Sequence, residues 1–396
     1  MEQKLIGTTT VFFTDRGREK NKGILKLTHP AMLAEDETLH WLDSVHLDDV
    51  AANMDADLRT AAENALSKGT VLLANTAWKT ADEWEKWLQK DNKKKKRVHL
   101  LALGDVGSTV LTALKLMGGD CIETLGIYDV NPDVCARWET ELNQAAFPWD
   151  YDALPTVEIL TEDQLFDCDM FIFCASKGIP PVGAQVQDVR MVQYEANKGI
   201  ISIFAKKARD AKFEGLFAVV SDPVDPLCRA AFLASNEDEA GIFDGKGLRP
   251  EQVQGYGLGV MNARAAYYAK QNPNFADFMT EGRAFGPHGQ DLVIANSIAN
   301  YDDERSKALT KLAIEANLRM RELGFKPYVA PAISSAAISL LLTLRGEWHY
   351  SSNFLNGVYM GSKNRTTLGV EIESLPLPDA LFQRIQKAYD GLEMIR

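Results

Sequence analysis

The stretch that most constrains the fold of this chain runs from Arg97 to Leu114 and predicts an apolar strand, a tight glycine turn and a helix. Gly104 and Gly107 form a GxxG turn, and Ala102 stands where a first glycine would complete the pattern GxGxxG. Such a turn brings backbone N–H groups and a helix N-terminus close to a pyrophosphate, and only small residues permit that approach. Because the pattern also fits a plain tight connection, its meaning depends on the sequence that follows.

Strands and helices alternate downstream of this turn. A second apolar strand covers residues 122–129, a third lies within residues 165–175, and another covers residues 216–221. Continuous apolar strands separated by helices are typical of a parallel sheet that is covered on both faces. We therefore predict an α/β fold with a doubly wound parallel sheet.

The second strand ends in an acid, Asp129, 25 positions after Gly104. A carboxylate at that point accepts hydrogen bonds from the ribose hydroxyls of an adenosine and repels a 2′-phosphate, which favours NAD over NADP. The predicted cofactor contacts lie in the glycine turn and at the strand ends. They are Gly104, Asp105, Val106, Gly107, Asp129, Ala175 and Ser221.

Composition narrows the classes of partner. The chain has 396 residues and a formal net charge of −12, which disfavours binding to nucleic acid or to an anionic membrane. The sequence shows no signal-peptide core and no apolar run near the ~18 residues that span a bilayer, so we expect a cytoplasmic protein. Five cysteines without CxxC spacing predict neither a disulfide framework nor a metal site. The basic run at residues 93–97 is interpreted as a solvated junction rather than a targeting patch.

Residues 1–96 form a separate mixed α/β segment of unknown role. We expect its strands at residues 8–14 and 23–28 to pair as a hairpin, and we hypothesise an oligomerisation or lid element. Further patterns predict helices at residues 55–66 and 81–90 and a strand at residues 69–75.

Three later segments occur in a characteristic order: Phe217–Asp225, Gly255–Arg264 and Gly286–Gly289. In sequence and order they resemble the signatures of the lactate/malate dehydrogenase superfamily, and the resemblance covers roughly residues 97–396. It implies an NAD-binding Rossmann domain at residues 97–225 and a mixed α/β substrate domain at residues 226–396. It also implies hydride transfer between nicotinamide and a small 2-hydroxy or 2-keto acid, and assembly as a homodimer or homotetramer.

The resemblance assigns roles to particular residues. His288 matches the histidine that carries the proton, and Arg264 matches the arginine that holds the substrate carboxylate. Arg190 matches the loop arginine that polarises the reacting carbonyl. Lys177 and Lys326 are further candidate cations for the substrate. The loop at residues 176–185 lacks the extra arginine of malate-type members, so a dicarboxylate substrate is not supported.

Two departures from the family pattern affect the chemistry. Asp222 replaces an asparagine whose amide donates to the substrate oxygen, and an ionised carboxylate can only accept. Met261 replaces the aspartate that orients the catalytic histidine. We hypothesise that Asp222 supplies the carboxylate that Met261 lacks, either by pairing with His288 or by taking a proton from the substrate.

Several alternatives stay open at this point. A carboxylate at Asp222 also suits a substrate that presents an N–H group, such as an amino or imino acid. A dehydrogenase-like protein that binds NAD but has lost turnover is a second alternative. A structural or assembly role dominated by the N-terminal segment is a third.

Residues 234–250 are expected to form an inserted acidic loop.

Overall fold

The computed structural model describes residues 2–90, 94–177 and 189–395, without the side chains of residues 189–191. The N-terminal segment pairs its strands around β4, whose residues are all buried. Its strands are β1 (Glu2–Ile6), β2 (Thr9–Thr14), β3 (Ile24–Lys26) and β4 (Val71–Asn75), and its helices are α1 (Ser44–Asn53), α2 (Ala56–Leu66) and α3 (Ala81–Leu88).

The expected hairpin between β2 and β3 is wrong. β4 lies between them, parallel to β2 and antiparallel to β3. A fully buried apolar strand needs a hydrogen-bonding neighbour on each side, and β2 and β3 supply them.

The central part of the chain forms the predicted doubly wound parallel sheet. The strands are β5 (Lys96–Leu101), β6 (Ile122–Tyr128), β7 (Thr156–Ile159), β8 (Met170–Phe173), β9 (Leu216–Val219) and β10 (Val253–Gly255). The helices are α4 (Asp105–Met117), α5 (Pro132–Asn143), α6 (Val189–Asp210) and α7 (Val224–Asn236). The spatial order is β7-β6-β5-β8-β9-β10, and neighbouring strands run parallel.

Two of these strands were not anticipated from the sequence. β7 is a short edge strand with mostly exposed residues, so it carries no apolar run. β10 lies beyond residue 225, where the predicted NAD-binding domain ends. The boundaries at residues 96 and 225 remain predictions.

The remaining elements add helices and an antiparallel extension of the same sheet. They are α8 (Leu258–Ala269), α9 (Phe278–Glu281), β11 (Arg283–Phe285), β12 (Val293–Ala295), α10 (Asp303–Glu322), α11 (Ile338–Arg345), β13 (His349–Leu355), β14 (Val358–Thr366), β15 (Val370–Ile372) and α12 (Asp379–Glu393). β13 pairs with β10, and β15 pairs with β3 of the N-terminal segment. One sheet therefore joins thirteen of the described strands, while β11 and β12 form a separate hairpin.

Helices cover both faces of the parallel strands. On one face, α6 and α7 pack against Phe171, Phe173 and Phe217, and on the other α4 and α11 pack against Val98 and Leu100. Alternate residues of each strand thus enter separate cores, as a sheet covered on both sides requires. Among the helices that the structure describes, none has both the length and the apolarity needed to cross a bilayer.

The glycine turn after β5 is shaped by a close backbone approach. Ala102, the residue in place of the first glycine, adopts a left-handed φ of 73°. A Cβ on Gly107 would lie 1.9 Å from the carbonyl oxygen of Ala102, whereas a Cβ on Gly104 would meet no atom within 4 Å. Gly107 is therefore required for the packing of α4 on β5, while Gly104 leaves open space at the helix N-terminus.

These two glycines give a matched pair of substitutions. We expect Gly107→Ala to lower the free energy of unfolding by about 2 kcal/mol, because the methyl group forces the turn apart. Gly104→Ala should change it by less than about 1 kcal/mol, since its Cβ points into open space. Urea unfolding monitored by circular dichroism measures both, and equal effects would contradict this account of the turn.

Candidate active site

The candidate site lies at the carboxyl ends of the parallel strands. The glycine turn follows β5, Asp129 follows β6, Ala175 follows β8, and Ser221 follows β9. The strand order reverses between β5 and β8, and a crevice outside the carboxyl ends at such a point is where doubly wound sheets bind ligands. The β11–β12 hairpin carries His288 in its loop to this same end.

His288 and Asp222 are in direct contact. The Nδ1 atom of His288 lies 3.1 Å from Oδ1 of Asp222. The histidine side chain is 14% exposed and the aspartate side chain 51% exposed, so the pair faces solvent on one side. An ionised carboxylate only accepts, so this contact assigns the proton to Nδ1 and leaves the lone pair of the imidazole on Nε2.

A second carboxylate, Asp225, supports the histidine loop from beneath. Its Oδ2 accepts the backbone N–H of His288 at 3.3 Å, and its Oδ1 accepts the hydroxyl of Ser352 at 2.6 Å. Burial raises the pKa of the Asp225 carboxyl to about 6, although the hydrogen bonds from Ser352 and His288 favour its ionised form. Gly257 lets the loop approach, because a Cβ there would lie 2.7 Å from Cβ of His288.

Asn197 of α6 ties the loops of the site together. Its Nδ2 donates to the carbonyl oxygen of Asp222 at 2.7 Å, and its Oδ1 accepts the N–H of Lys177 at 2.9 Å. The same amide also approaches the hydroxyls of Ser176 and Ser221. This buried residue thus fixes the segments that follow β8 and β9 relative to each other.

Arg264 of α8 presents a half-buried guanidinium without a carboxylate partner in the part of the chain that the structure describes. Its donors contact Sδ of Met261 at 3.4 Å, the carbonyl oxygen of Ala313 at 3.5 Å, and Oδ1 of Asn317. Burial lowers the pKa of Arg264, and the negative charge of Asp222 opposes that shift. A buried cation held only by neutral acceptors is suited to binding an anion.

The other predicted substrate cations lie in different settings. Arg190 is the second residue of α6, and its side chain falls outside the described part of the structure. Lys177 is exposed at the end of the segment after β8. Lys326 comes to the glycine turn, where its Nζ lies 2.9 Å from Oδ2 of Asp105. Its contact is thus at the predicted cofactor site, and its role toward substrate stays a prediction.

The predicted cofactor residues follow β5, β6, β8 and β9, at the carboxyl ends of these strands. Asp129 accepts the N–H of Leu103 at 2.8 Å through Oδ2 and that of Asn131 at 3.0 Å through Oδ1. Each carboxylate oxygen keeps a second lone pair for a hydroxyl group. Val106 continues the turn into α4, and Ala175, after β8, is half-buried. The space at Gly104 and the close approach at Gly107 fit a bound pyrophosphate.

The chain is similar in sequence and in fold to known lactate and malate dehydrogenases. The "Probable malate dehydrogenase" of Campylobacter jejuni is 27% identical over 291 residues, which cover 69% of this chain and 87% of the relative. An L-lactate dehydrogenase from Enterococcus mundtii superposes with a TM-score of 0.60 at 18% identity, over 76% of this chain and 98% of its own. No family model matches the sequence.

The malate dehydrogenase from Archaeoglobus fulgidus, solved in complex with NADH, gives a TM-score of 0.59 at 18% identity and covers 75% of this chain and 97% of its own. The names of these relatives and structural neighbours support membership of the lactate/malate dehydrogenase superfamily. In this chain Asp222 contacts His288, while Met261 is buried against Arg264.

Sequence reasoning missed Asp225 and Ser352 as site residues. Asp225 follows Asp222 by three residues, and the sequence predicted a role for Asp222 alone. An acid inside the apolar run Pro223–Cys228 is the signal that identifies a buried carboxyl. Ser352 gave no signal, because its partner lies 127 positions away in the chain.

The raised pKa of Asp225 predicts a pH-dependent stability. The native state binds the proton more tightly than an unfolded aspartate, so the free energy of unfolding falls as pH rises from about 4 to about 6, by up to about 3 kcal/mol. Asp225→Asn keeps an acceptor for the His288 amide and removes this titration. Urea unfolding of both proteins between pH 4 and pH 6.5 should give converging stabilities at low pH, and parallel curves would contradict the shift.

Proposed function

We propose that the protein is an NAD-dependent oxidoreductase that transfers a hydride between nicotinamide and a small 2-hydroxy or 2-keto acid. The observation that carries the proposal is the 3.1 Å contact between Asp222 and His288, with Arg264 within range of the Asp222 charge. In this proposal Asp222 takes over the orienting role that the superfamily gives to the residue at position 261.

The residues proposed to hold NAD are those of the glycine turn and the strand ends. Gly104, Asp105, Val106 and Gly107 would face the pyrophosphate, and Asp129 the adenosine ribose. Ala175 and Ser221 would line the nicotinamide half. Lys326 offsets the charge of Asp105, which would otherwise repel a pyrophosphate. When bound, NAD supplies the hydride acceptor or donor, and this chain supplies binding, orientation and proton transfer.

The proton step follows from the tautomer of His288. With Nδ1–H donated to Asp222, Nε2 is the basic atom available to a substrate hydroxyl. Taking that proton creates an imidazolium, and the Asp222 carboxylate stabilises its positive charge. Asp225 is a positioning residue in this scheme, since it holds the backbone of the His288 loop rather than the ring.

Arg264 is the proposed anchor for the substrate carboxylate. A guanidinium presents two parallel N–H groups to a carboxylate, and partial burial strengthens that interaction. We infer one anionic group on the substrate, because Lys177 and Arg190 are the cations that the sequence offers near the loop and no second arginine accompanies them.

A second candidate substrate is a 2-amino or imino acid. The specific observation in its favour is that Asp222 is an acceptor at the position where the superfamily has an amide donor. A carboxylate there attracts an N–H group or a cationic nitrogen and repels a developing alkoxide. A protein that binds NAD without turnover is the remaining alternative.

Asp222→Asn tests the acid–base proposal. We expect kcat to fall about 100-fold or more, because the imidazole loses its anionic partner. Rates measured by NADH absorbance on a panel of 2-keto, 2-hydroxy and 2-amino acids also identify the substrate class. Unchanged or improved turnover of 2-keto acids by this variant would overturn the role of Asp222.

A double variant controls for indirect effects of Asp222→Asn. Asp222→Asn combined with Met261→Asp restores the superfamily pattern and should recover part of the lost rate. NADH binding, followed by fluorescence, should be the same in all of these proteins. NADH binding without turnover of any panel member by the unmodified protein would support the non-catalytic alternative.

Arg264→Gln tests the anion anchor. Loss of a charge-assisted, paired hydrogen bond of about 3 kcal/mol should raise KM for the carboxylate substrate about 100-fold. Binding of NADH alone should not change, whereas the tighter NADH binding expected in the presence of oxamate should disappear. Arg264→Lys keeps the charge without the planar fork and should give an intermediate KM. An unchanged oxamate effect in Arg264→Gln would contradict the proposal.

Assembly and location follow from the same proposal. We expect a homodimer or homotetramer, as in the superfamily, and a cytoplasmic location.

A further inference from the structure

A cavity of about 760 Å³ opens at the amino ends of the parallel strands, the end of the sheet opposite His288. Its walls include residues that lie at the starts of strands, such as Lys96 of β5, Met170 of β8 and Leu216 of β9, together with Gln252 just before β10. Because these strands run parallel, this opening lies at their amino ends and the candidate active site lies at their carboxyl ends. We call it the amino-end cavity.

We propose that the amino-end cavity binds an amphipathic anion, a small molecule with an aromatic or acyl body and one acidic group. The volume falls in the range of pockets that take small ligands, about 300–1,000 Å³. This site is independent of the proposed function, since it uses none of the residues proposed for NAD or for the 2-hydroxy acid.

The walls supply an apolar surface for the body of the ligand. Their apolar side chains come from the parallel sheet, from the helices that flank it and from the N-terminal segment. They are Ile24, Trp87, Leu88, Phe166, Met170, Phe213, Leu216, Leu344, Leu368 and Val370. Apolar and aromatic linings with a few charged groups are typical of small-molecule sites at the junction of two structural units.

Three of the four acidic groups of the walls form ion pairs, and the fourth, Asp169, accepts the backbone N–H of Arg97 at 2.8 Å. Asp167 pairs at 2.9 Å with Arg97, a residue that does not line the cavity. Glu214 pairs with Lys79 at 2.7 Å and with Arg249 at 3.0 Å. Arg249 also pairs with Glu251 of the lining at 2.7 Å. These contacts leave Asp169 as the one carboxylate of the lining for which the described residues show no ion pair, so most of the negative charge of the walls is compensated.

Two lysines of the lining are differently placed. Neither Lys90 nor Lys212 has a carboxylate partner within the described ranges, and both are exposed at the cavity. Their ammonium groups are the cations that an acidic group on a ligand would meet. Apolar walls beside these cations favour an amphipathic anion over a sugar, a cation or a neutral polar molecule.

The N-terminal segment contributes part of this site. Ile24 of β3 and Trp87 and Leu88 of α3 lie in the wall opposite the strand ends. The resemblance to the superfamily begins near residue 97, so these side chains belong to the part of the chain that it leaves unexplained. The cavity gives that segment a role in ligand binding.

The probe for the test is 8-anilinonaphthalene-1-sulfonate, an aromatic sulfonate whose fluorescence rises in apolar sites. We expect saturable binding to the full chain, weakened about ten-fold by the double variant Lys90→Gln/Lys212→Asn. Asparagine is chosen at position 212 because that residue has a left-handed φ of 51°, which asparagine tolerates. The matched control Lys68→Gln/Lys270→Gln removes two exposed lysines that do not line the cavity and should bind as the unmodified chain does.

A second variant tests the volume instead of the charge. Ala211→Trp places a large ring at the mouth of the cavity and should also weaken binding about ten-fold, whereas Ala276→Trp, on an exposed loop outside the lining, should not. Saturating NADH is included so that the probe cannot report the cofactor site. Probe binding that is absent, or that is unaffected by both cavity variants, would overturn the proposal.

Discussion

The pairing of β15 with β3 is the constraint on which the rest of the structure depends. Backbone pairing at this seam is short, with Val370 opposite Leu25, so side chains must reinforce it. Lys26 pairs with Glu371 at 2.7 Å, and the buried Lys22 bonds both Glu37 and the carbonyl oxygen of Phe354. The Lys26–Glu371 pair and the bond from Lys22 to Phe354 join the N-terminal segment to the rest of the chain, and Glu37, within that segment, neutralises the buried Lys22, whose loss of a partner would cost about 3–5 kcal/mol.

The site illustrates how two carboxylates of one short segment acquire different properties. Asp222 is half exposed and faces the imidazole ring, whereas Asp225, three residues later, is buried under the backbone of the same loop. Burial raises the pKa of Asp225 to about 6, whereas the carboxylate of Asp222 stays open to solvent beside the imidazole. The turn that leads into α7 thus carries one carboxylate that contacts the imidazole of His288, Asp222, and one that holds the backbone of the His288 loop, Asp225.

Sequence patterns predicted those parts of the fold in which burial dictates residue type. The strands β5, β6, β8 and β9 are apolar because helices cover both their faces, and the glycine turn is recognisable because Gly107 has no room for a side chain. Exposed edge strands such as β7 carry no comparable pattern. Pairings between distant segments, including β3 with β15 and Asp225 with Ser352, depend on tertiary geometry that one-dimensional periodicity does not encode.

The seam between β3 and β15 also governs the order in which this polypeptide can fold. Its ion pair joins residues 345 positions apart, so the N-terminal strands cannot complete their sheet until β15 has been synthesised. Closing so large a loop is slow compared with forming the local strand–helix units of the parallel sheet. The N-terminal segment is therefore among the last parts of this polypeptide to dock, and its strand β3 remains unpaired on one side in the meantime.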